Sequence, residues 1–214
     1  MSKFEWVLFG GTFDPPHLGH KQCVESVLNT FDVGTVLVVP SFNPPVAGEG
    51  VKVPAASFQQ RLEMAQLLFS SSKMEGQVEV SDLEKNLPQP SFTVNTIAKL
   101  KAGRPGTAAL LIGDDQLAVF HKWHKAKEIV QDLSLLVVTR DGSPEKSLVN
   151  LAKSLELDYK LEKNTATWQG LNTRVEFLPV VSDAASRVMR NNQGSDHWMD
   201  AAVANYIKTN GLYK

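Results

Sequence analysis

The sequence predicts an α/β fold, a mainly parallel sheet with helices on both faces, and three observations predict it. Short apolar runs bounded by Gly, Pro or Ser recur along the 214 residues. Segments with helical periodicity lie between most of them, and several of those segments carry start signals of their own. With 43% hydrophobic content and no long low-complexity tract, the chain has enough apolar material for one well-buried domain spanning residues 1–214.

Taken in order, the strands are expected at Trp6–Phe9, Val36–Val39, Val78–Val80, Ala108–Ile112, Leu133–Val138 and Val175–Leu178. The first leaves through a glycine turn into a helix, on which Cys23 falls at the spacing of Val24, Val27 and Leu28 and is expected to pack into the core. Pro40 to Ala56 holds four prolines, Pro40, Pro44, Pro45 and Pro54, with Asn43, Gly48 and Gly50 among them, and reads as a loop on the ligand side of the sheet. Ser91 is placed to open a helix with Val94, Ile97 and Ala98 inward. Ser143-Pro144 reads as an N-cap and first-turn pair, after which Leu148, Leu151, Ala152 and Leu155 recur at i, i+3, i+4 and i+7. Leu157 to Thr173 is polar and mixed, and is expected to be an irregular excursion before the last strand.

Composition narrows the function classes. A formal net charge of −1 and an isoelectric point near 6.5 give no basic excess, which argues against nucleic acid or an anionic membrane surface as main partner. The single cysteine cannot form an internal disulfide. The N-terminus shows no basic region followed by an apolar stretch, and no apolar run approaches the roughly 20 residues that span a bilayer. A cytoplasmic protein is expected. The glycine patterns of dinucleotide-binding folds and of P-loops are absent, as is a nucleophile elbow.

The most informative segment is Gly10-Gly11-Thr12-Phe13-Asp14-Pro15-Pro16-His17-Leu18-Gly19-His20, directly after the first strand. Paired glycines let a backbone approach a ligand closely, and the two histidines, at i and i+3, share one face of the helix they begin. Main-chain N–H groups at such a junction face an anion, with the helix dipole favouring negative charge. A second segment is Gly113-Asp114-Asp115-Gln116-Leu117, followed by Trp123, at the carboxyl end of a strand; its acidic pair could hold a cation, cap a helix or hydrogen-bond a ligand. A third is Ser182 to Arg190, which places Ser186 and Arg190 at the start of a helix after the last strand. Hydroxyl and guanidinium groups there suit a polyphosphate. His121, Trp123 and His124 lack a cysteine or carboxylate at metal-ligand spacing and read as surface or pocket-rim residues, so no protein-held metal is expected.

The first segment resembles the H-x-G-H signature of the nucleotidyltransferase superfamily, and in its fuller form G-G-T-F-D-P-x-H-x-G-H it resembles most closely the bacterial nicotinate-nucleotide adenylyltransferases. That resemblance implies a Rossmann-like, doubly wound sheet of the nucleotidyltransferase type. It implies transfer of the adenylyl group of ATP to nicotinate mononucleotide, giving deamido-NAD and pyrophosphate in NAD biosynthesis, with Mg²⁺ carried by the ATP. By the same resemblance His17 and His20 are catalytic. Gly10, Gly11, Thr12, Phe13, His17, Gly19, His20, Ser186 and Arg190 bind ATP. Thr93, Gly113, Asp115, Trp123 and Arg140 face the mononucleotide.

The chain departs from the family pattern at several places. Phe92 stands where a tyrosine is usual in S-Y-T-x-x-T, and Asp141 replaces proline in the turn after Arg140. Ala185 and Arg187 replace a serine and a threonine of I-S-S-T-x-I-R. The usual P-P-H-K becomes Pro44-Pro45-Val46-Ala47, with Lys52 displaced and Glu49 added. The closing Val203-Ala204-Asn205-Tyr206-Ile207 and Leu212-Tyr213 resemble the family's V-x-x-Y-I and L-Y. Two other readings stay open: an H-x-G-H transferase acting on NMN or another phosphomonoester, and a nucleotide-binding regulator without turnover. The oligomeric state is not legible in the sequence.

Overall fold

Alternation along the first strand sets the architecture. In a computed structural model, which describes residues 3–45, 53–70, 74–139, 144–179 and 198–213, β1 spans Lys3–Gly11 and sends Trp6 and Leu8 to one core, Val7 and Phe9 to the other. A strand buried on both faces needs layers on both faces. The helices α1 (Leu18–Thr30) and α2 (Phe58–Phe69) supply one layer, with Val24, Val27, Met64 and Leu68 inward. The other comes from α3 (Thr93–Gly103), α4 (Asp114–Val119), α5 (Ala126–Asp132) and α6 (Pro144–Leu155). A last helix, α7 (Ala201–Thr209), returns to the α1–α2 side through Val203. Each fully buried Leu or Val in these layers contributes about 1.5–3 kcal/mol.

The remaining strands are β2 (Asp32–Pro40), β3 (Val78–Val80), β4 (Ala108–Gly113), β5 (Ser134–Thr139), β6 (Tyr159–Glu162), β7 (Thr165–Trp168) and β8 (Arg174–Pro179). Their order is β3-β2-β1-β4-β5-β8-β7-β6. Parallel pairing runs from β3 to β8, and β6 and β7 join antiparallel. Chain order reverses between β1 and β4, which pair with Leu8 opposite Leu110. Ligands of open α/β sheets bind beyond the carboxyl ends of the strands at such a switch point. All six expected strands form; Val78–Val80 has its expected bounds, Leu133–Val138 is shifted by one residue to Ser134–Thr139, and the other four are longer than expected by one to five residues.

Three local expectations are corrected. Residues 157–173 are not irregular: Ala166 and Trp168 are buried while Thr167 is exposed, and that period of two docks β7 on β8 and leaves β6 as the sheet edge. Ser91 does not open α3. The helix begins at Thr93, and Ser91 is clasped to Asn43 by Asn43 N–H to Oγ (3.0 Å) and Ser91 N–H to the Asn43 carbonyl (2.9 Å). Its buried stripe is accordingly Thr96, Ile97 and Leu100, with Val94 half-buried and Ala98 exposed. Cys23 is half-buried against the α1–α2 core and also borders the ligand cavity. In α6 the expected inward set, Leu148, Leu151, Ala152 and Leu155, is buried; Ser143 lies outside the described residues. Among the described residues no helix is long and apolar enough to cross a membrane.

Candidate active site

The segment after β1 turns sharply. Phe13 adopts a left-handed conformation (φ 51°), and its buried ring lies edge-on to Phe9 (centroids 5.4 Å) and to His20 (5.0 Å). That ring folds back over Gly11, where a Cβ would sit 3.2 Å from it, so the second glycine makes room for the turn. His17 is the N-cap of α1 and His20 its third residue. His17 donates its backbone N–H to His20 Nδ1 at 3.1 Å, and the two rings overlap at 3.8 Å between centroids. With Nδ1 accepting, neutral His20 carries its proton on Nε2. The His20 N–H bonds the His17 carbonyl at 2.9 Å, and the first turn of α1 sets the positive end of the helix dipole beside the two histidines.

A buried polar network holds this turn from outside, and the sequence reading missed it. Asp14 accepts from the backbone N–H groups of Ala55 (2.8 Å) and Ala56 (3.1 Å) and from the Tyr213 hydroxyl (2.5 Å). Arg61, 1% exposed, donates to three carbonyls: Thr12 at 2.6 Å, Ser41 at 2.8 Å and Ala56 at 3.3 Å. Burial lowers the Arg61 pKa from the usual arginine value, and Asp14, Tyr213 and Glu84 oppose that shift. Glu84, also buried, accepts from Phe42 N–H (3.1 Å) and the Thr96 hydroxyl (2.9 Å), tying the segment after β2 to α3. The signal for Arg61 was available: it sits in register with Met64, Ala65 and Leu68 on the apolar stripe of α2, where a charge is buried only with partners.

Across the switch point lies a second, more open cluster. Gly113 ends β4 and is itself the N-cap of α4, so neither Asp114 nor Asp115 occupies the N-cap position. Asp114 accepts from Asp115 N–H at 2.9 Å, and Asp115 is exposed. A 3-10 turn, Phe120–Lys122, then presents Trp123, half-buried and stacked on Phe120 at 4.8 Å. His124 stacks on Phe92 at 4.3 Å, next to Thr93 at the start of α3.

One cavity of about 830 Å³ joins the two clusters. Gly10 to Phe13 line it with His17, Gly19 and His20, and so do Thr93, Gly113, Asp115 and Trp123. Phe92, Lys122 and His124 are lining residues as well. Arg140, Ser186 and Arg190 lie outside the described residues, as does the 46–52 segment. Among the described residues no three His, Cys, Asp or Glu side chains are grouped to hold a metal ion.

Comparison with known proteins agrees with this geometry. Residues 8–200 match the cytidylyltransferase-like family. A Serratia proteamaculans protein named "Probable nicotinate-nucleotide adenylyltransferase" is 30% identical over 219 residues, covering 97% of this chain and 94% of its own. A Dehalococcoides mccartyi protein of the same name is 32% identical over 213 residues, covering 96% and 95%. In structure, the chain is similar to the Plasmodium falciparum nicotinic acid mononucleotide adenylyltransferase complexed with NaAD, with a TM-score of 0.71 at 17% identity over 100% of this chain and 98% of that one.

Proposed function

The chain belongs to the cytidylyltransferase-like family and to its nicotinate-nucleotide adenylyltransferase branch, and from that premise we propose that it transfers the adenylyl group of ATP to nicotinate mononucleotide. The products are deamido-NAD and pyrophosphate, and the step belongs to NAD biosynthesis. The observation that carries the reading is the single cavity, about 830 Å³, with the Gly10–His20 segment at one end and Thr93, Gly113, Asp115 and Trp123 at the other.

The reaction is an in-line displacement: a phosphate oxygen of the mononucleotide attacks the α-phosphorus of ATP as the bond to the bridging oxygen of pyrophosphate breaks. No covalent nucleophile is required, so positioning and charge stabilisation do the catalysis. The Nε2–H of His20 and the ring of His17 donate to phosphate oxygens as negative charge moves to the leaving group. The Thr12 and Phe13 backbone holds the phosphates close to them. At the other end Trp123 stacks on the pyridine ring, and backbone N–H groups near Thr93 and Gly113 meet its carboxylate. Asp115 hydrogen-bonds the mononucleotide. Ser186 and Arg190 are assigned to the ATP phosphates and Arg140 to the mononucleotide phosphate on their sequence match. A divalent cation, Mg²⁺ in this proposal, screens the triphosphate charge and is carried by the triphosphate itself. The whole chain acts as one nucleotidyltransferase domain.

Pyrophosphate release with ATP and Mg²⁺ against nicotinate mononucleotide, NMN and phosphopantetheine tests the proposal. Turnover with nicotinate mononucleotide in clear excess of the others is the expected result. ATP binding without release from any acceptor would replace the enzyme by a nucleotide-binding regulator.

A further inference from the structure

The turn at Phe13 is held by groups that do not line the cavity. Arg61, Asp14 and Tyr213 are absent from its lining, yet they fix the main chain on both sides of Phe13. On one side Arg61 holds the Thr12 carbonyl at 2.6 Å, and on the other the Asp14 carboxylate is fixed by Ala55 N–H, Ala56 N–H and Tyr213 O–H. Phe13 and Tyr213 are both non-glycine residues in the left-handed region, at φ 51° and 56°. Such backbone persists where its surroundings over-determine it. The ring of Phe13 in turn packs against His20 at 5.0 Å, so the orientation of that imidazole depends on where the turn is held.

We propose that Arg61 and Tyr213 are positioning residues for the reaction, setting the imidazole of His20 and the Thr12–Phe13 donors through the Phe13 turn without touching substrate. The inference rests on the adenylyl-transfer reading for its kinetic consequence and on the geometry alone for its structural one. Distance in sequence makes the device notable: Tyr213 lies 199 residues from Asp14, so the C-terminal segment takes part in shaping the phosphate end of the site. A second tie, Tyr206 O–H to Glu63 at 2.5 Å, brings α7 onto α2, the helix that carries Arg61. Arginine is required at position 61 because one planar guanidinium reaches three carbonyls in different directions, and a lysine ammonium of the same charge cannot reproduce that fork.

The test uses full-length Tyr213→Phe and Arg61→Lys proteins, shown by circular dichroism to be folded at the assay temperature. Tyr213→Phe removes only a hydroxyl, and kcat is expected to fall about five- to tenfold with the mononucleotide KM within about twofold, because misplacement acts on the transition state. Arg61→Lys is expected to lose more. In both variants the imidazole ¹⁵N resonances of His20 should move in the absence of any substrate, a change that a purely stabilising role would not produce. Wild-type kcat in folded Tyr213→Phe, or unmoved His20 resonances, would overturn the inference. If the wild-type protein releases no pyrophosphate from any acceptor, the proposed reaction fails, and the His20 resonances of the two variants still decide the positioning role.

Discussion

The two ends of the cavity are built on different physical principles. At the Gly10–His20 end, proposed to bind phosphate, the cavity is lined by a glycine-rich turn and two overlapping histidines, and the turn is fixed by the buried, hydrogen-bonded side chains of Asp14 and Arg61. At the other end Thr93, Asp115, Trp123 and His124 stand on helix starts and a 3-10 turn, half-buried or exposed, with stacking as the main restraint. A rigid end suits a task common to every turnover, binding charge that develops in the transition state. An end made of surface side chains can vary and so choose the acceptor. The difference teaches where to look for rate and where for selectivity.

The largest expected effect is at the rigid end. His20→Ala should lower kcat by roughly 100-fold or more, about 2.7 kcal/mol, the scale of losing one preorganised transition-state donor. Steady-state kinetics on the folded variant checks this, and the double His17→Ala/His20→Ala protein should lose much less than the product of the two single losses. The open end is proposed to govern choice of ring: nicotinate mononucleotide is expected to be preferred over NMN by at least about tenfold in kcat/KM, about 1.4 kcal/mol, which one charge-assisted hydrogen bond supplies. Equal use of the two acceptors would break the comparison, since the open end would then select nothing. Trp123→Ala should raise the mononucleotide KM roughly fivefold, for about 1 kcal/mol of lost stacking, with kcat little changed.

The smallest effect is remote from both ends. Burial first, and then the hydrogen bond to Glu63, push the Tyr206 hydroxyl up to about 12. A raised folded-state value favours the neutral phenol, so its contribution to stability is full below the free-tyrosine value near 10 and lost as pH rises through about 12. Tyr206→Phe should therefore cost less than about 1 kcal/mol at neutral pH, because the pair is near the surface. Thermal melts measure the loss, and phenolate absorbance should show the latest-ionising tyrosine missing from the variant.

What was legible in the sequence was local. The H-x-G-H segment and the six apolar runs each carry their signal within a dozen residues, and the structure places them where the spacing put them. Gly113, Asp115 and Trp123 likewise share the cavity because one strand end and the turn after it present all three. The network of Asp14, Arg61 and Tyr213 was legible only at Arg61, whose place on the apolar stripe of α2 marks a buried charge; its partners are not announced, since the bonds reach as far as the 199 residues between Asp14 and Tyr213. The β6–β7 hairpin escaped notice for another reason: three of the four β6 residues are exposed, so only Ala166 and Trp168 carry an apolar period, too short to stand out from polar surroundings.

The division between the two ends is tested most directly by kcat and mononucleotide KM measured side by side in His20→Ala and Trp123→Ala. The account predicts a kcat loss of roughly 100-fold with KM within about threefold for His20→Ala, and for Trp123→Ala a raised KM with kcat within about threefold. A His20→Ala protein that keeps its kcat and loses only affinity, or a Trp123→Ala protein whose kcat falls as far as that of His20→Ala, would contradict it.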